Sequence, residues 1–287
     1  MARSIAALAL AAALLPTAAP ARAAAPDGPC SSVRHPKAAD RLGARIRQAL
    51  RGRAGTESVA VYDRRRGIRC AVAAGRRYDS ASVVKVTVLG ALLRRAADED
   101  RPLTAAERLR ARRMIIRSDN RATSDLWRSV GRARIADFID RAGMDQTELD
   151  PDGHWGLTQI TAHDEIELLR RLTTPNALLP TRARAYALRL MHEVVPAQRW
   201  GTPAGRPPGV AWHMKNGWLP RPERRWRVHS IGSFDGHGED YMIVVLTQDT
   251  PSMAYGIATI ERVARTVHHT LAGTKHLTPH GRTRKAL

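Results

Sequence analysis

The order in which strand-like and helix-like segments follow one another constrains this 287-residue chain more than any other feature. After an amphipathic stretch from Ala38 to Leu50, the run Ser58-Val59-Ala60-Val61-Tyr62-Asp63 reads as a buried strand, and a turn through Arg65 to Gly67 leads to a second, Ile68 to Ala73. Helical periodicity then takes over. Val83 to Ala97 is apolar enough for a buried helix, and polar helical segments run from Thr104 to Ile116, Ala122 to Val130 and Ala133 to Ala142. A loop rich in Asp, Pro and Gly (Asp150 to Gly156) precedes helices at Ala162 to Leu172 and Arg182 to Met191. Strands return at Val210 to Lys215, Arg225 to Phe234 and Tyr241 to Thr247, before a final helix from Met253 to Leu271. Neither the leading pair of strands nor the trailing three can bury a face alone. They must join into one antiparallel five-stranded sheet with the helical block inserted between them, an α+β arrangement.

The ends are read separately. Arg3 is followed by an apolar run from Ile5 to Leu15 and then by small residues, so 1-23 reads as a secretory signal peptide, with cleavage sites ending at Ala23 or Ala25. That run falls short of the roughly 20 residues of a spanning helix, and Asp27-Gly28-Pro29 before Cys30 is not a lipoprotein context. A soluble, secreted (extracellular or cell-wall-associated) domain over 24-273 is therefore expected, without a membrane anchor. Within it, an α/β part occupies about 38-80 and 195-273 and a helical insertion about 98-190. The basic tail 274-287 has no apolar period and is expected to be disordered. In an oxidising compartment the two cysteines, Cys30 and Cys70, should form a disulfide, closing a loop of 40 residues and pinning the N-terminal segment to the second strand.

The formal charge of +20 invites a nucleic-acid reading, but only five of the 47 basic residues are lysine, and no basic motif is interleaved with aromatics. A solvated arginine-rich surface, attracted to an anionic cell wall and not to nucleic acid, is expected.

Chemistry concentrates in three short motifs. Tyr78-Asp79-Ser80-Ala81-Ser82-Val83-Val84-Lys85 sets Ser82 and Lys85 three apart at a helix start, which puts both on one face. A serine hydroxyl needs a neighbouring base to act as a nucleophile, and a lysine can serve when burial lowers its pKa. Alone, the spacing is equally met by Asp79 or Ser80 as a helix cap with Lys85 as a buried-stem lysine. Further on, Ser118-Asp119-Asn120 joins two helical segments, and Lys215-Asn216-Gly217-Trp218 ends a late strand. In this order the three motifs form the signature set of class A β-lactamases and penicillin-binding proteins.

The chain resembles that penicillin-recognising serine hydrolase superfamily, class A β-lactamases above all, over roughly residues 38 to 272. Val59-Ala60-Val61-Tyr62-Asp63 with Gly67, Leu103-Thr104 with Glu107, Met114-Ile115, and Gly143-Met144 with Thr147 and Leu149-Asp150 carry the likeness beyond the motifs. The resemblance implies a β-lactamase/transpeptidase-like fold and hydrolysis of β-lactams, or of related cyclic or D-amino-acyl amides, through an acyl-enzyme on Ser82. It implies Lys85 as proton acceptor, directly or through water, Ser118 as proton relay to the leaving nitrogen, and backbone N–H groups of Ser82 and Trp218 as the oxyanion hole. Asn120 would bind the substrate's side-chain amide and Lys215 its carboxylate, with Asn216 offering that carboxylate a hydrogen bond beside Gly217. Arg225, or else Arg224 or Arg227, would assist Lys215.

The likeness breaks in the Ω-shaped loop. Where the family has a glutamate that activates the deacylating water, this chain reads Pro151-Asp152-Gly153-His154-Trp155-Gly156, and the next glutamate, Glu165, already lies in a helix. Asp152 as carboxylate or His154 as imidazole could replace it. If neither does, the protein becomes a D,D-peptidase or penicillin-binding-like enzyme, or a non-turnover binder of β-lactams or cell-wall peptides. Asn216, where threonine or serine is usual, and bulky Trp218 point to a narrowed cleft. No metal or other cofactor is expected, since the eleven histidines show no metal-ligand spacing supported by a nearby carboxylate, and a monomer is expected.

Overall fold

In the computed structural model, residues 28-222 and 225-273 are described, so the signal-peptide and tail expectations, and Arg224, lie outside them. Eight strands and eight α-helices follow in the order β1 (Cys30–Ser31), α1 (Pro36–Leu50), β2 (Thr56–Asp63), β3 (Ile68–Val72), β4 (Arg77–Asp79), α2 (Lys85–Asp98), α3 (Ala105–Ile116), α4 (Asn120–Val130), α5 (Arg132–Ala142), β5 (Gln159–Thr161), α6 (Ala162–Thr173), α7 (Thr181–His192), β6 (Ala211–Arg221), β7 (Arg225–Gly236), β8 (Glu239–Thr250) and α8 (Met253–Gly273). A 3-10 turn over Ala81–Val84 leads into α2.

The main sheet runs β1-β3-β2-β8-β7-β6 with every neighbour antiparallel, so the leading and trailing strands do join, along β2 and β8. It has six strands, not five. The sixth is the two-residue β1, held at the sheet edge because Cys30 stands opposite Cys70 and the two are bridged. On the chain-entropy estimate a 40-residue loop is worth about 4 kcal/mol. Replacing both cysteines by serine should therefore lower the unfolding free energy by roughly that amount in a denaturant titration, with little change in the shape of the cleft.

Strand alternation sorts side chains to two cores. Val59 and Val61 of β2 and Ile243 and Val245 of β8 face Leu42 and Ile46 of α1 and Ile260 and Val263 of α8. The intervening Ala60, Val244 and Leu246 face the opposite side, where Leu89 and Leu92 of α2, Met114 of α3, Phe138 of α5 and Leu169 of α6 close over them. Each fully buried aliphatic side chain contributes about 1.5–3 kcal/mol. α2 is the axle of the helical block, and α5 comes so close that a Cβ on Gly90 would fall 2.2 Å from the Phe138 ring. α3 starts where the sequence prescribes, with Thr104 and Glu107 forming a reciprocal capping box. No helix among the described residues is long and apolar enough to cross a membrane.

Candidate active site

Three separate stretches of backbone clamp the segment that carries Ser82. A short ribbon, β4 against β5, pairs Asp79 with Gln159, and the Ser80 N–H donates to Thr158 O at 2.8 Å. From the main sheet, His229 Nε2 meets Asp79 O at 2.9 Å while its Nδ1 accepts the Thr247 N–H at 3.2 Å. Burial holds this imidazole down at about 4, so it is neutral and acts as a fixed donor and acceptor. On the third side β6 passes directly beneath the turn. A Cβ on Gly217 would lie 3.0 Å from Ser82 N, Val83 N and Ser80 O, so only glycine lets the strand approach the backbone of Ser82.

Two positions in this region carry strained backbone. Ala81, just before Ser82, has φ +48° and Ser118 has φ +55°, conformations unfavourable for residues with a Cβ. Ser118 adopts it in the gap between α3 and α4, where Asp119 caps α4 by accepting from Ala122 N at 2.8 Å. The result aims the Ser118 hydroxyl at two amines.

Lys85 Nζ lies 3.1 Å from Ser118 Oγ and Lys215 Nζ 3.0 Å from it, so one hydroxyl is shared by two buried lysines. Lys85 also donates to Ser118 O at 2.6 Å and to Asn120 Oδ1 at 2.8 Å, and Lys215 to Asn216 O at 2.8 Å. Burial lowers Lys85 to about 7, against the opposing pull of the Asp119 charge. Burial also pushes Lys215 well below the ordinary lysine range, with the Lys85 charge adding to the effect. Two ammonium ions cannot both persist there cheaply, so one amine gives up its proton near neutrality and becomes an acceptor. Ser82, Lys85, Ser118, Asn120, Lys215, Gly217 and Trp218 are thus gathered around the junction of the 3-10 turn, the α3–α4 gap and β6.

Five expected residues are not part of this gathering. Arg225 stands opposite Arg221 on β6, six residues beyond Lys215, which at ~3.3 Å per residue is about 20 Å away. Arg227 is engaged elsewhere, with Asp79 at 3.4 Å and Asp249 at 2.7 Å. Asn216 spends its amide N–H groups on Gln198 O and Trp200 O, both at 2.9 Å, so it fastens the segment before β6 instead of offering a donor to a ligand. Asp152 is exposed, and the His154 side chain is 67% exposed with its ring 3.2 Å from Asp150. Both face the solvent side of their loop.

What that loop presents to the cluster is Trp155, a residue the sequence reading did not single out. Its ring centroid lies 4.9 Å from Lys85 Nζ, and its indole N–H donates to Ser124 Oγ at 3.1 Å. Ligand atoms of Asp150, Asp152 and His154 do lie within 4.8 Å of one another, a grouping the sequence spacing did not flag. It sits on the loop's exposed side and is not joined to the lysine cluster.

The description "Beta-lactamase enzyme family" belongs to a family model that matches residues 108–271, more than half the chain. Similar solved structures include the TLA-1 extended-spectrum β-lactamase (18% identity, TM-score 0.73, covering 81% of this chain and 98% of that one). A β-lactamase from Chitinophaga pinensis is also similar (17%, 0.71, 80% and 99%). So is a PBP-A variant solved as its acyl-enzyme with penicillin G (20%, 0.70, 81% and 96%). No curated protein sequence matches. At such identities the solved structures speak for the fold, a β-lactamase fold in which helices flank the antiparallel sheet, and the family model speaks for descent. The chain belongs to the beta-lactamase enzyme family.

Proposed function

We propose that this protein is a serine acyl-transfer enzyme that opens β-lactams or related cell-wall-peptide-like amides through an acyl-enzyme on Ser82, and that it clears the acyl group slowly. The observation that carries the reading is the Ser118 hydroxyl held between two buried amines, Lys85 and Lys215, beside the turn that bears Ser82. Ser82 Oγ attacks the amide carbonyl and neutral Lys85 accepts its proton, directly or through water. The Ser82 and Trp218 N–H groups take the developing oxyanion. Ser118 passes a proton to the leaving nitrogen and is recharged from the lysine side as the C–N bond breaks. A similar protein, the PBP-A variant, forms such an adduct with penicillin G.

Slow clearance follows from the loop. Among the described residues the loop turns the Trp155 ring toward Lys85 while Asp152 and His154 are exposed, and Asp119, whose charge acts on Lys85, is spent as the cap of α4, so none of these groups is placed to activate a water there. This favours a penicillin-binding or D,D-peptidase-like behaviour over rapid antibiotic hydrolysis. The same proposal takes the substrate as a small molecule met outside the cell, after removal of the leader.

Labelling with a fluorescent penicillin tests the assignment. Ser82→Ala should abolish covalent labelling while circular dichroism and melting temperature stay near the parent's. A labelled Ser82→Ala chain would remove Ser82 from the role.

A further inference from the structure

On the far side of the sheet from Ser82, α1 and α8 lie side by side over the outer core and leave a groove of about 410 Å³ between them. Its lining comes from two helical stripes. From α1 come Arg45 and Gln48, with Arg41 and Lys37 continuing the same stripe at steps of four beyond the groove's lining, and from α8 come Arg262, Arg265 with Thr266, and His269. Arg45 Nη1 reaches Thr270 Oγ1 at 3.3 Å and Arg262 Nη2 reaches Gln48 O at 3.4 Å, so arginines from both walls bridge the groove. Among the described residues Lys37, Arg41, Arg45, Arg47 and Arg262 form no ion pair, and the one acidic neighbour on α8, Glu261, is engaged by Arg265 at 2.8 Å. By contrast, on α3 Arg110, Arg112 and Arg113 are each paired with a carboxylate. Asp40 on α1 is the acidic residue nearest Lys37 and Arg41 and is in ion-pair contact with neither, so basic charge runs in excess along this channel.

We infer that this α1/α8 groove is a docking site for a linear, base-free phosphodiester or polyphosphate-like polyanion. Guanidinium groups spaced along two walls suit successive phosphates, each contact releasing a bound counterion. The groove offers no aromatic platform except His269 and no apolar lining beyond Ala49, which argues against stacked nucleobases and against insertion into a lipid surface. The cleft that bears Ser82 lies on the other face and stays open, so docking would hold the enzyme at an anionic surface without closing it. This inference does not depend on the acylation chemistry.

The test uses the full chain and long-chain polyphosphate, with affinity followed by anisotropy across a salt series. The triple variant Arg41→Gln/Arg45→Gln/Arg262→Gln is compared with Arg65→Gln/Arg108→Gln/Arg182→Gln, which removes the same charge from other faces. Folding of both is checked by melting temperature. The groove variant should lose at least ~10-fold in affinity at moderate salt and lower the slope of log Kd against log salt by about two, while the control loses no more than ~3-fold. Equal losses in both variants, or no binding by the parent, would overturn the inference. So would tighter binding of single-stranded DNA than of polyphosphate at matched charge, or capture by anionic vesicles alone.

Discussion

Acylation of Ser82 by a penicillin should slow by about 10²–10⁴-fold in Lys85→Ala, the range lost with a general base. Lys85→Arg should fare no better, because a guanidinium keeps a positive charge near Ser118 but cannot release its proton. The parent's acylation rate should climb with pH through about 7, where buried Lys85 passes from ammonium to amine, and then level off. Stopped-flow measurement of acylation between pH 5.5 and 9 reads both effects. A parental profile flat across that window, or Lys85→Arg with parental rates, would show that Lys85 is not the acceptor and would shift attention to Lys215.

A large gain in stability is expected from Glu165→Leu, and it should grow with pH. Glu165 is fully buried on the core-facing side of α6 with neither carboxylate oxygen hydrogen-bonded, and burial, reinforced by the Asp164 charge, raises it from 4.5 to about 8. Because the unfolded chain releases this proton first, the folded state is most favoured by it below about pH 4.5, loses stability as pH rises, and reaches the full penalty above pH 8. A shift of that size corresponds to roughly 4–5 kcal/mol at 1.36 kcal/mol per unit. At pH 8.5 the leucine variant should melt about 10 °C higher than the parent, and at pH 5 the difference should shrink to a small fraction of that. Equal gains at both values would mean the carboxyl is not held protonated in the fold.

What could be read from the sequence was whatever local spacing determines. The three motifs, the apolar helix behind Ser82 and the split sheet follow from periodicity and order, and their element boundaries agree with the structure within a few residues, except that β6 continues to Arg221, six residues past its expected end at Lys215, so Lys215-Asn216-Gly217-Trp218 lies inside the strand and does not end it. What depends on strand register or on the path of a loop could not be read. Arg225 was expected to assist Lys215, yet the pairing of β7 with β6 sends it to the far end of the strand. Asn216 looked like a ligand donor until the segment from Gln198 to Trp200 claimed its amide. In the loop, a conformation chooses which of three neighbouring side chains faces Lys85, and it chose Trp155 over His154 and Asp152. The three-residue strands β4 and β5 are too short for any periodic signal, although they hold the turn that carries Ser82. Glu165 was legible. With Ala162, Leu169 and Leu172 it falls on the apolar stripe of α6 at steps of three and four, a placement that announces a buried carboxyl.

Ser82 should form an acyl-enzyme that outlasts the encounter, because the loop turns Trp155 toward Lys85 while Asp152 and His154 stay exposed. The most direct test is an intact-mass time course of the parent protein mixed with benzylpenicillin. The expected result is a mass increase of one opened penicillin per chain that appears quickly, persists long after free penicillin is removed, and maps to the peptide containing Ser82. A chain whose mass never changes while the penicillin stays intact would contradict the claim outright, and rapid hydrolysis with no accumulating adduct would contradict its slow second step.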